Sequence, residues 1–273
     1  MSPLSMVQHS SPRERWLPAL ALVLVLALWW QGPIAQWPDY HLFADSRGWL
    51  GMPNAANVLS NLPFALIGAW GLWRLRQTPA VEPGAGGDLP WRAFNLALIC
   101  TAAGSAFYHW APDNDGLALD RLPIAWACAA LLCGFAADRL HRRWAGWPAV
   151  SGAHAVATLA VLHWWWTEQH GGGDLRAYLF VQFLPMLLVP AALCLQLPAR
   201  RAGAVPGGTW WLVLGLYALA KVMELADHWM LAATGQWAGG HMIKHLLAAA
   251  AAACLVAAVV RAARAPSAAA SAS

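Results

Sequence analysis

The chain has 273 residues, of which 59% are apolar and only 11% are Asp, Glu, Lys or Arg, whereas an ordinary soluble domain carries roughly 25% charged residues. A soluble protein of this length buries a large core, but it has no place for stretches of about 20 apolar residues recurring along the whole chain. Disordered, collagen-like and nucleic-acid-binding chains are excluded by the same figures, and the net charge of +4 matters less than where its charges stand.

Windows of about 19 residues predict helices at 16–35, 55–73, 93–111, 120–138, 147–166, 175–196, 209–232 and 239–260. The breaks between them carry Gly and Pro: Gly32 with Pro33, Gly84 to Gly87, Gly171 to Gly173, Pro206 to Gly208, and Gly239 with Gly240. The expected class is an all-α, polytopic membrane helix bundle. Residues 1–15 form a cytoplasmic N-terminal segment, 16–54 an extra helix and loop, 55–262 a seven-helix core, and 263–273 a disordered tail rich in Ala and Ser. The first helix also has the form of a signal peptide, with basic residues before Leu17 to Trp30 and small residues after it at Ala35. Its removal would leave seven helices with the same sidedness.

Short cytoplasmic loops collect Lys and Arg. With the N-terminus inside, Arg13, Arg15, Arg74, Arg76, Arg92, Arg139, Arg142, Arg143, Arg200, Arg201, Arg261 and Arg264 all fall on the cytoplasmic side, 12 of the 17 basic residues. Arg47, Arg121 and Arg176 fall opposite, and Lys221 and Lys244 lie within helices. The 19 tryptophans gather near helix ends, as an interfacial belt does. Cys100, Cys128, Cys133, Cys194 and Cys254 sit in apolar runs without metal-type spacing and read as packing residues.

Ionisable side chains inside a membrane are expensive, so each is a functional candidate. His109 ends the third segment with Ser105 one turn earlier, Asp120 starts the fourth, and His241 and His245 open the eighth, all near the non-cytoplasmic face. Histidines four apart share one helix face and can hold one ion, with His109 as a third nitrogen. Three neutral imidazoles and a water make the open arrangement of catalytic zinc, in which the water's pKa falls to about 7. Asp120 would orient or deprotonate that water, and the Ser105 hydroxyl would help hold it or polarise a carbonyl. Taken singly, each has a plainer reading. The histidine pair suits the headgroup region, Asp120 suits a helix N-cap before Pro123, and Ser105 suits interhelical packing. Paired histidines also serve haem or copper.

The combination Ser105-x3-His109-x10-Asp120 followed by His241-x3-His245 resembles the motif set of the CREST superfamily of membrane hydrolases, which includes alkaline ceramidases and the progestin and adipoQ receptors. Asn57-Val58-Leu59-Ser60-Asn61, Gly104-Ser105-Ala106-Phe107-Tyr108-His109 and Leu119-Asp120-Arg121-Leu122-Pro123 are similar to segments of the alkaline ceramidase branch, and the likeness runs from about Asp45 to Ala249. It implies zinc on His109, His241 and His245, Ser105 and Asp120 as catalytic partners, and a seven-helix core. Eukaryotic alkaline ceramidases bind calcium through an acidic cluster. Here only Asp45 and Asn54 offer comparable ligands, so calcium is not expected. Lys244 stands inside the His-x3-His element where many members have an aromatic residue.

Other polar groups have local expectations. Asn57, Ser60 and Asn61 fit interhelical hydrogen bonding or substrate contact, and Lys221 fits a pair with Glu224 on the last turns of the seventh helix, shared with Asp227 and His228. Asp227 fits the acceptor for a zinc-bound imidazole. Glu168, Asp174 and Arg176 border a glycine loop that fits either a mouth admitting a lipid headgroup or, more simply, a flexible, solvated turn. Asp113 to Gly116 reads as a plain turn, and His154 and His163 as packing or interfacial residues.

These readings lead to a zinc-dependent amidohydrolase that cleaves the N-acyl bond of ceramide or a ceramide-like lipid, giving fatty acid and a long-chain amine. Its partners would be the bilayer and a membrane lipid substrate, with no nucleic acid. The Ala- and Arg-rich composition suggests a bacterial inner-membrane protein. The alternative is a lipid-responsive receptor or scaffold with structural zinc.

Overall fold

In a computed structural model of the chain, which describes residues 12–77, 87–201 and 203–264, regular structure is helical and no strand occurs among the described residues. The helices are α1 (Trp16–Gln31), α2 (Ala55–Leu59), α3 (Leu62–Arg76), α4 (Leu89–Trp110), α5 (Asn114–Arg139), α6 (Trp147–Gln169), α7 (Arg176–Cys194), α8 (Gly207–Leu225), α9 (Asp227–Ala233) and α10 (Gly240–Arg264). Each predicted apolar segment falls on one or two of them. Residues 1–11 of the expected N-terminal segment and 265–273 of the expected tail lie outside the described residues.

Four stretches are long and apolar enough to cross a membrane: 55–76 (α2 with α3), α5, α7 and α10, with mean hydropathies of 1.3, 1.5, 1.9 and 2.2. The bent pair α8 and α9 makes a fifth if it is taken as one span. With 16 residues α1 is short, while α4 and α6 have the length but less hydropathy. The outside of the bundle is nonetheless apolar: Trp30 is 93% exposed and Leu159 65% exposed. Such a surface suits lipid tails and would drive association in water.

Three helices depart from the sequence expectation, each for a local reason. The fourth segment begins at Asn114 rather than near Asp120, because the Asp113 carboxylate caps it, accepting the Gly116 N–H at 2.6 Å. Asp120 is therefore not an N-cap and stands in the second turn of α5. The 55–73 segment breaks between α2 and α3. The Asn57 carbonyl accepts from Ser60 Oγ at 3.0 Å and from Asn61 Nδ2 at 2.8 Å, and the Asn61 N–H turns to Val58 O at 3.3 Å. The 209–232 segment is not one helix: it bends by 84° where α8 gives way to α9, which moves Asp227 and His228 onto a separate short helix.

The bundle is organised around α4 and α5, with α3 and α10 on one flank, α6 and α7 on the other, and α1 against α7. At Gly104 a Cβ would collide with the Leu119 carbonyl oxygen, so only glycine lets α4 and α5 cross this closely beside Ser105 and Asp120. At Gly240 a Cβ would meet the Met223 carbonyl and lie 2.8 Å from Asp227 Cα, so the first turn of α10 nests in the α8–α9 bend.

A group of arginines gathers at the end away from the histidines. Arg139 Nη1 donates to Leu197 O at 2.7 Å, Arg201 pairs with the fully buried Asp138 at 3.1 Å, and Arg200 pairs with Glu14. On α10 the histidines open the helix and Arg264 closes it, about 34 Å from His241 along the axis.

Candidate metal centre

His109 from the last turn of α4 meets His241 and His245 from the first turns of α10, with exposures of 0%, 6% and 5%. One ligand nitrogen from each lies within 4.8 Å of the other two, so the cluster can hold a metal ion. His241 Nε2 and His109 Nε2 are 3.3 Å apart. That matches the edge of a tetrahedron whose nitrogen ligands stand at 2.0–2.1 Å, which is about 3.3 Å. With Nε2 as its ligand atom, His109 would carry the ring proton on Nδ1, which is buried and has no hydrogen-bond partner among the described residues.

The tautomer of His245 follows from its surroundings. Its Nδ1 lies 2.7 Å from Ser60 Oγ, whose own hydrogen is directed to the Asn57 carbonyl at 3.0 Å. With the Ser60 hydrogen on that carbonyl, Ser60 accepts, Nδ1 carries the proton, and the Nε2 lone pair is left for a ligand. The α2–α3 break thus has a chemical result, because it turns Ser60 from a helix-surface residue into a histidine-orienting one.

Asp227 does not receive an imidazole proton as the sequence suggested. Its two oxygens accept backbone N–H groups instead, from His241 at 2.9 Å and from Ala44 at 2.9 Å. It caps α10 and pins the segment between α1 and α2 to it. Lys244 reaches the cluster itself: Nζ lies 3.0 Å from His241 Nε2 and donates to Glu224 Oε1 at 2.9 Å. Glu224 also pairs with Lys221, as expected, so two ammonium groups share one carboxylate.

Ser105 and Asp120, 2% and 8% exposed, interact across the α4–α5 crossing, and one Asp120 oxygen has no hydrogen-bond partner. Both line a cavity of about 850 Å³ together with His241, Lys244, His245 and Asn61. Away from these polar groups the cavity is walled by Phe94, Leu98, Leu131, Val213, Ala252 and Leu255. From His241 to Leu255 it follows α10 over 14 residues, a depth of about 21 Å.

The chain matches no family model and no curated sequence.

The segment linking α1 to α2 closes the polar end, which the sequence did not disclose. The Phe43 ring lies 4.6 Å from both His109 and His241, and His41 bonds Tyr108 Oη at 3.0 Å and Asn114 at 3.1 Å. The signal was present in Trp37, Tyr40, Phe43 and Trp49, a run too aromatic for a solvated loop. Asp45 places both carboxylate oxygens on Arg47, at 2.8 and 2.7 Å, and Asn54 Nδ2 donates to the His109 carbonyl at 2.9 Å. Hydrogen bonds from the Arg47 side chain hold the Asp45 carboxyl below its usual range against its partial burial. Asn57 and Asn61 are both 1% exposed, and only Asn61 reaches the cavity.

Asp174 is not part of a flexible, solvated turn. It is 7% exposed, grips Arg176 at 2.8 Å, and accepts the Ile34 N–H at 3.4 Å, anchoring the start of the closing segment. Burial pushes its carboxyl up, but hydrogen bonds from the Arg176 side chain and backbone and from Ile34 outweigh it and hold the group at about 2. The cysteines are free. His154 Nδ1 bonds its own helix at Val150 O, 2.7 Å away, and the half-exposed His163 stands 3.6 Å from Asp174.

Proposed function

We propose that the chain is a zinc-dependent membrane amidohydrolase acting on the N-acyl bond of ceramide or a ceramide-like lipid. The observation that carries this reading is a buried three-histidine cluster beside Ser105 and Asp120 at the polar end of a deep, otherwise apolar cavity. A purely structural metal needs no such cavity, and an electron-transfer centre needs no neighbouring carboxylate.

His109, His241 and His245 would hold the metal. Bound there, zinc supplies Lewis acidity, lowering the pKa of water to about 7 and polarising a carbonyl. The remaining work belongs to the protein. Asp120, within interaction reach of Ser105 and with a free oxygen, takes the proton from the attacking water and delivers it to the leaving amine. The Ser105 hydroxyl donates toward the carbonyl oxygen as charge develops on it. Phe43 excludes bulk water over the histidines, which strengthens each of these interactions. The apolar wall from Ala248 to Leu255 receives one acyl chain, and its volume lies within the usual range for a small-molecule pocket.

We read the helices as eight crossings, with α8 crossing alone and α9 lying along the interface. The arginine-rich end faces the cytoplasm, and the reaction lies at the opposite face of a bacterial inner membrane. Purified protein should contain zinc by elemental analysis and release fatty acid from N-acyl lipids by mass spectrometry, and His241→Ala should lose both. Full hydrolysis by metal-stripped protein would end the proposal.

A further inference from the structure

Arg121 follows Asp120 on α5, yet its side chain serves none of the steps above. It is 5% exposed and lines the same cavity. Its guanidinium lies 4.0 Å from the centroid of Trp164, 5.0 Å from Tyr178 and 5.3 Å from Tyr40, and Nη2 donates to Gln36 Oε1. Nη1 is buried with no hydrogen-bond partner among the described residues. Among the described residues no carboxylate forms an ion pair with Arg121, and Asp120 acts on it only through space. The contrast with the other buried cation at this cavity is direct, since Lys244 has Glu224 at 2.9 Å.

Ring faces and one amide oxygen repay only part of what it costs to take a guanidinium out of water. The shortfall would be made good by an anion, and a guanidinium offers a two-pronged edge that matches a carboxylate or phosphate. The location says what would carry that anion. Tyr40 lies against Arg121 and Phe43, three residues on, lies against His109 and His241. A lipid with its chain along α10 and its amide at the histidines therefore directs its headgroup toward Arg121.

Resting on the amidohydrolase reading and narrowing its substrate class, we infer that Arg121 binds an oxyanion on the substrate headgroup, so that ceramide-like N-acyl lipids whose amine portion is acidic are preferred over neutral ceramide itself. Binding, not turnover, tests this apart from the reaction. By calorimetry in detergent, the full-length protein should bind N-palmitoylglycine at least tenfold tighter than the equally long, uncharged N-palmitoylethanolamine. Arg121→Gln should erase that preference and Arg121→Lys should keep part of it. Equal binding of the two lipids by the unaltered protein overturns the inference whether or not the variants fold, as does a preference that survives in folded Arg121→Gln. Inorganic phosphate alone binding as tightly as the acidic lipid overturns the assignment to a lipid headgroup. A tenfold preference in protein that hydrolyses neither lipid leaves the anion site standing and removes only the hydrolase reading.

Discussion

The hydroxyl of Ser60 lies 2.7 Å from Nδ1 of His245, and because that hydroxyl already donates to the Asn57 carbonyl, it fixes which imidazole nitrogen is free. Ser60→Ala removes the acceptor and leaves the ring to choose its own tautomer. Loss of such a partner typically weakens metal binding by about 10–100-fold. Competition with a chelator of known affinity measures it, and Ser60→Thr should recover most of the loss. Unaltered affinity in Ser60→Ala would show that the hydroxyl serves only the helix break.

Asp227 ties two segments that are far apart in sequence, Ala44 and His241, through their backbone N–H groups. Asp227→Ala leaves both donors unsatisfied, at about 1–3 kcal/mol for each buried group. Denaturant unfolding in detergent should show the loss. Protease should also cut the 33–54 segment faster, whereas a role confined to the imidazole would leave that rate unchanged.

Gly104 sets the spacing between Ser105 and Asp120. In Gly104→Val the new side chain meets the Leu119 carbonyl and forces α4 from α5, an overpacking strain of about 1–3 kcal/mol. Hydrolysis should fall more than tenfold with the metal content retained, because the histidines lie on α4 and α10 while Asp120 lies on α5. Equal loss of metal and activity would place the crossing in support of the histidines instead.

The Asp174 carboxyl, held at about 2 by Arg176 and Ile34, is an acid-labile anchor. A carboxyl whose folded pKa is depressed contributes stability that is present above its unfolded pKa of about 3.9 and is lost as pH falls through the folded value. Thermal stability should therefore drop between about pH 4 and pH 2, and Asp174→Asn should flatten that part of the profile. A profile unchanged by the substitution would assign the acid loss to other carboxylates.

Much of the candidate centre was legible from spacing. His241 and His245 four apart on an apolar stretch, with Ser105 and His109 one turn apart on another, can only face inward if the chain is to tolerate them in lipid. Asp227 was legible as important and misread in role, because a helix periodicity continued through Ala226 gives no sign of an 84° bend. Nor does a sequence show that two side chains will take a carbonyl from the backbone, as Ser60 and Asn61 do at Asn57. Asp174 was misread for a related reason. Its glycine-rich neighbours suggested solvent, but its partner Ile34 lies 140 residues away.

By itself the sequence determined the solvent and the periodicity: scarce charge, apolar runs of helical length, arginines at alternate ends, and a few polar residues that lipid would not accept. These are properties of single helices, set by the cost of an unpaired polar group in hydrocarbon. Tertiary structure decided what depends on closure between distant segments. It brought Phe43 over the histidines, aligned Ser60 with His245, gave Lys244 its carboxylate and, among the described residues, left Arg121 without one. Those outcomes turn on side-chain distances of a few ångströms across helices, and hydrophobic periodicity, which is indifferent to which helix becomes a neighbour, carries no information about them.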